Sequence, residues 1–145
     1  MRNTHCAATA QPTNFPTSVS MKVLIAFSFA GLILASQASA ACTSIRNTYN
    51  GTVSASSDVI AQGPFTITGA NGCRQANISS TITAVGSGSP PDLYIERLTG
   101  STWRTVAGGT GNTASVLGPL GTYRIRHSNT LTVDRQYSGT TRYNR

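Results

Sequence analysis

After Ala41 the apolar residues of this chain never recur at spacings of three, four and seven over a useful length. They alternate with polar residues in short runs broken by Gly, Asn, Pro and Ser, which is the period of half-buried strands rather than helices. "GTVSASSDVI" (51–60) follows the turn dipeptide Asn50-Gly51, and "PFTIT" (64–68) runs into a second Asn-Gly turn in "GANG" (69–72). "NISSTITAV" (77–85) places Ile78, Ser80, Ile82 and Ala84 on one face. "GSGSPP" (86–91) ends strand pairing, because proline cannot donate to a ladder. "DLYIERL" (92–98) and "TWRTVA" (102–107) flank a hairpin-like Thr99-Gly100-Ser101. "TASVL" (113–117), "GTYRIRH" (121–127) and "TLTVDRQY" (130–137) complete the set, and a Ser138-Gly139 turn leads into the polar "TTRYNR".

About seven to nine short strands at intervals of roughly ten residues predict an all-β domain. We expect a small antiparallel β-sandwich, jelly-roll-like, in preference to a barrel. The predicted core is Val53, Val59, Phe65, Ile67, Ile78, Ile82, Leu93, Ile95, Val106, Val116, Tyr123, Ile125, Leu131 and Val133.

The segment before this domain reads differently. "MKVLIAFSFAGLILASQASA" (21–40) has one lysine, an apolar run from Val23 to Ala35, and small residues ending in Ala38-Ser39-Ala40. That is the order of a secretory signal peptide, and the run is shorter than the roughly 18 residues of a membrane span. Cleavage after Ala40 leaves residues 41–145 as one domain. Residues 1–20 lack apolar periodicity and form an upstream extension or a long n-region, with either Met1 or Met21 as the start. Lipidation of Cys42 is disfavoured, since Ser39-Ala40-Ala41 lacks a large aliphatic residue at the third position back. The expected location is secreted or periplasmic, with no stable membrane insertion after cleavage.

Composition narrows the chemistry. The whole chain carries +7 with only 10% charged residues. From Ala41 onward it has nine arginines, no lysine and four acids: Asp58, Asp92, Glu96 and Asp134. The surface must therefore be built largely of Thr, Ser, Asn, Gln and Gly. Cys42 and Cys73 predict a disulfide in an oxidising compartment, closing a loop of about 30 residues.

Residues 90–129, "PPDLYIERLTGSTWRTVAGGTGNTASVLGPLGTYRIRHSN", resemble the second half of bacterial pre-peptidase C-terminal domains, which are small secreted β-sandwiches. Asp92-Leu93-Tyr94-Ile95 matches the strand that enters a hairpin, and Pro119 to Arg126 matches the returning "P-G-T-Y" strand, with Leu120 inserted. The resemblance implies a non-catalytic accessory or binding module. The acidic pairs that often hold calcium in that family are missing, and only Asp92 corresponds, so no metal is expected.

Catalysis needs convergent titratable groups. Beyond Ala41 there is one histidine, His127, which we expect half-exposed at a strand end, and the four acids lie in separate segments. Asp92 and Glu96 sit about 13 Å apart along one strand, too far for paired glycosidase carboxylates unless the side chains converge. We therefore expect no enzyme and no cofactor. Binding is better supplied. Arg97, Arg104, Arg124, Arg126, Arg135 and Arg142 fall in or beside the C-terminal strands, and guanidinium forks suit carboxylate, sulfate and phosphate. Tyr94 and Trp103, with Tyr137 and Tyr143 nearby in sequence, could face sugar rings. In "GTYRIRH", however, Arg124 and Arg126 could equally be the solvated back of a strand whose Tyr123 and Ile125 point inward. The expected ligand is an anionic polysaccharide or cell-envelope polymer; export argues against nucleic acid. The alternative is an inhibitor or surface-assembly subunit that binds a protein partner through an edge strand.

Overall fold

The computed structural model describes residues 41–145. The expected signal peptide and upstream extension lie outside the described residues. Eight strands form two antiparallel four-stranded sheets. One has the order β1 (Ser44–Val53), β8 (Arg135–Asn144), β3 (Ala76–Ala84), β6 (Thr113–Gly118). The other has the order β2 (Ser57–Ile67), β7 (Gly121–Asn129), β4 (Asp92–Thr99), β5 (Thr102–Gly109). The chain changes sheet at every connection except the β4–β5 hairpin, which is the jelly-roll arrangement of the sandwich.

Strict alternation builds the core. Ile78 and Ile82 of β3, Leu93 and Ile95 of β4, and Tyr123 and Ile125 of β7 are almost wholly buried, together with Val53 and Ile67. Val59, Phe65 and Val116 pack half-buried around them. The expected disulfide is present: Cys42 and Cys73 are bonded, with Cα atoms 4.7 Å apart across 31 residues of chain.

Three expected core residues are instead exposed: Val106, Leu131 and Val133. Val106 is squeezed out by a bulge, since Ile95 pairs with Ala107 but Glu96 with Thr105. Leu131 and Val133 belong to a turn, not a strand. Buried Asn129 organises that turn: its Nδ2 donates to the carbonyls of Val53, Ser54 and Val133, and its Oδ1 accepts from the Leu131 amide.

Two expected turns are strand interiors. Gly51 lies within β1 opposite Tyr137, and Gly139 lies within β8 opposite Tyr49. Each glycine leaves room for the aromatic ring lying over it, and a Cβ on Gly51 would stand 2.8 Å from the Tyr137 hydroxyl. Consequently β8 runs through "TTRYN", and Thr141 and Tyr143 are buried.

His127 is also buried rather than half-exposed. Its ring lies 4.6 Å from that of Tyr137 and 5.7 Å from that of Tyr49. Beside it a buried hydroxyl chain links Tyr49 Oη to Ser80 Oγ (3.0 Å) and Ser80 Oγ to Thr141 Oγ1 (2.9 Å). Desolvation holds the imidazole pKa down, at about 4.

Candidate functional site

Alternation places the two arginines of "GTYRIRH" on the outer face of the β2-β7-β4-β5 sheet. In register, Arg124 stands opposite Glu96, and Arg126 stands between Tyr94 on β4 and Ile60 on β2. Nε of Arg124 donates to one oxygen of Glu96 and Nε of Arg126 to the other, both at 2.7 Å. Nη1 of Arg126 donates to Asp58 at 3.1 Å. Guanidinium planes cover the aromatic rings: Arg124 lies 4.2 Å above Trp103, and Arg126 lies 4.4 Å above Tyr94. Burial disfavours the Arg126 cation, but the hydrogen bond and charge of Glu96, with Asp58 and Tyr94, outweigh it and hold its pKa above the ordinary value.

This ladder brings together four of the sequence-predicted residues, Tyr94, Trp103, Arg124 and Arg126. Its two cations meet two carboxylates, and both aromatic faces are occupied. The pair is largely an internally neutralised surface layer over the sheet.

The remaining predicted arginines lie elsewhere. Arg97 stands opposite inward-facing Tyr123, and its Nη2 donates to the Leu120 carbonyl at 3.2 Å. Arg104 is exposed on the edge strand β5, opposite Arg97. Arg135 begins β8 in the other sheet, with its guanidinium against Gly88. A single patch of five arginines does not form.

The opposite face of the molecule supplies a different surface. The strands β1, β8, β3 and β6 contain no Asp or Glu at all. Their outward positions carry almost only hydroxyl and amide side chains, in register across the sheet. Thr48, Thr140, Thr81 and Thr113 form one cross-strand row. The neighbouring row is Arg46, Arg142, Ser79 and Ser115. Arg46 and Arg142 are exposed and directly opposite each other. Among the described residues neither has a carboxylate within ion-pair distance. They line a shallow depression of about 290 Å³ with Ser79, Thr81 and Thr140. A second depression, of about 230 Å³, flanks Arg142 with Asn77, Ser79 and Asn144 among its lining residues.

Like charges directly opposite across a ladder repel, so this pairing works against stability. It offers two guanidinium forks beside donor and acceptor hydroxyls, the chemistry that holds sulfate, carboxylate or phosphate on a sugar. In the sequence Arg142 falls among the arginines of the C-terminal strands but Arg46 does not, because the polar "SIRNTYN" and "TTRYN" do not stand out as strands. The alternation Ile45-x-x-x-Tyr49 and Thr141-x-Tyr143 around those arginines was the available signal. Among the described residues no three His, Cys, Asp or Glu converge as metal ligands, and no helix is long and apolar enough to cross a membrane.

No family model matches the chain, and no curated protein matches it. Among solved structures it is similar to a mitogen from Yersinia pseudotuberculosis, with 16% identity and a TM-score of 0.51, over 68% of this chain and 86% of that one. A looser likeness, with 17% identity and a TM-score of 0.36, is to a protein of the disulfide-linked pili of Bacillus endospore appendages, over 71% and 88% of the two chains. The first likeness is one of fold.

Proposed function

We propose that the protein is an exported, non-catalytic binding module for an anionic carbohydrate or similar cell-surface polymer. Its binding surface is the outer face of the β1-β8-β3-β6 sheet. The observation that carries this reading is the unpaired Arg46–Arg142 couple on a sheet whose strands hold no acid. The four acids lie on the other sheet's strands or in the β7–β8 turn, so anions approaching this face meet no carboxylate on it. The flat hydroxyl rows extend the surface beyond one sugar ring and suit a polymer.

The disulfide fits an oxidising compartment, as does the signal-like segment before it. Burial of the one histidine within the domain, with no side-chain hydrogen-bond partner on either ring nitrogen among the described residues, supports a non-enzymatic reading. The resemblance of residues 90–129 to accessory domains of secreted proteins points the same way.

A panel of sulfated, carboxylated and phosphorylated polysaccharides, probed at low and high salt, tests the proposal. Salt-sensitive retention on at least one anionic polymer is expected, because exposed charge pairs are screened within about 10 Å at 0.1 M salt. Failure to bind any of them would overturn it.

A further inference from the structure

Where β1 and β2 form the facing edges of the two sheets, the sandwich is open and its inward positions turn polar. On β2, Val59 stands opposite His127, Gln62 opposite Ile125 and Phe65 opposite Tyr123, so Gln62 occupies a core register position. Two register shifts, on either side of Gln62, pull β2 away from regular pairing there. On β1, Asn47 sits at the inward parity between Ile45 and Tyr49. A cleft of about 460 Å³ results, lined by Asn47, Gln62, Pro64, Phe65 and Tyr143, with Arg145 also on its wall. Phe65 stacks on Tyr143 with ring centroids 4.2 Å apart, which fixes the ring in place. Oε1 of Gln62 is buried without a hydrogen-bond partner among the described residues, a costly state for an acceptor.

We propose that this cleft binds a single neutral pyranose ring, independently of the arginine face. The volume lies within the range of small-ligand sites, and the composition is that of such a site: aromatic surface with a few convergent polar groups. Each primary amide both donates and accepts, which matches vicinal sugar hydroxyls that do the same. The apolar face of the sugar packs on the braced Phe65 ring. No Asp or Glu side chain lines the cleft, so the paired carboxylates of glycoside hydrolysis are not among its lining residues. Bulged strands commonly re-aim side chains beside functional sites, and here the bulges deliver Gln62 to the opening.

Titration of the isotope-labelled protein with glucose, galactose, mannose and N-acetylglucosamine, followed by NMR at high salt, tests this. At least one sugar should shift resonances of Asn47, Gln62, Phe65 and Thr66 in a saturable manner. Asn47→Ala and Gln62→Leu should each weaken that binding roughly tenfold, as expected for loss of a buried hydrogen bond. Asn47 is exposed, so its variant should fold even if Gln62→Leu does not. The double variant Arg46→Ala, Arg142→Ala should bind the sugar as the wild type does, which separates this site from the anion face. Absence of saturable shifts with every sugar would overturn the proposal, and so would undiminished binding by Asn47→Ala.

Discussion

At Glu96 a nearly buried carboxylate takes the Nε hydrogens of both Arg124 and Arg126, the most conspicuous basic pair in the chain. Removing the carboxylate leaves two part-buried guanidinium groups side by side. Glu96→Gln should therefore lower unfolding stability by about 2 kcal/mol, as for a broken, partly buried ion pair, measured by urea denaturation. His127 carries a second residue-level consequence. Its pKa is depressed in the folded state to about 4, so the unfolded chain takes up a proton first as pH falls. Stability should be full above pH 6.5, fall as pH drops towards 4, and lose no more from this group below that. By pH 5 the loss should reach about 2 kcal/mol, taking about 1.4 kcal/mol per pH unit. Denaturation of the wild type and His127→Leu from pH 7.5 to 5 would reveal it, with the variant showing a flatter profile.

Among the elements, β3, β4 and β7 were legible because their apolar residues alternate over several positions, and β5 because a hairpin-like Thr99-Gly100-Ser101 joins it to β4. Most of β1 and the C-terminal half of β8 were not, and the reason is packing across the sheet. Asn50-Gly51 and Ser138-Gly139 carry turn chemistry locally, but each glycine is required opposite a tyrosine on the neighbouring strand. A partner strand far away in sequence thus overrides local preference. The reverse holds at Thr130–Val133, where alternation mimics a strand and Asn129 bends the chain into a turn. The proposed anion-binding couple is hidden in the sequence for the same reason, since Arg46 and Arg142 become neighbours only when β1 and β8 pair. The Cys42–Cys73 bond, which was legible, ties the start of the domain to the segment before β3. The double variant Cys42→Ser, Cys73→Ser should lose roughly 3–4 kcal/mol of stability, the chain-entropy value for a loop of this size, read as a lower denaturation midpoint.

Over the whole molecule, charge is divided between the two sheets. Asp58, Asp92 and Glu96 all fall on strands of the β2-β7-β4-β5 sheet, where Asp58 and Glu96 pair with arginine and Asp92 accepts from the Tyr94 hydroxyl, while the strands of the other sheet carry arginine without acid. Composition revealed an excess of arginine but not this division, which depends on strand order. The fold class was therefore readable from alternation, whereas the location of the proposed binding face was not. The most direct measurement compares the affinity of three proteins for one sulfated polysaccharide at low salt: the wild type, Arg46→Ala with Arg142→Ala, and Arg124→Ala with Arg126→Ala. We predict that the first pair of substitutions abolishes salt-sensitive binding while the second leaves it within about twofold, for proteins verified as folded. Binding that survives loss of Arg46 and Arg142, or that disappears only with Arg124 and Arg126, would contradict the account.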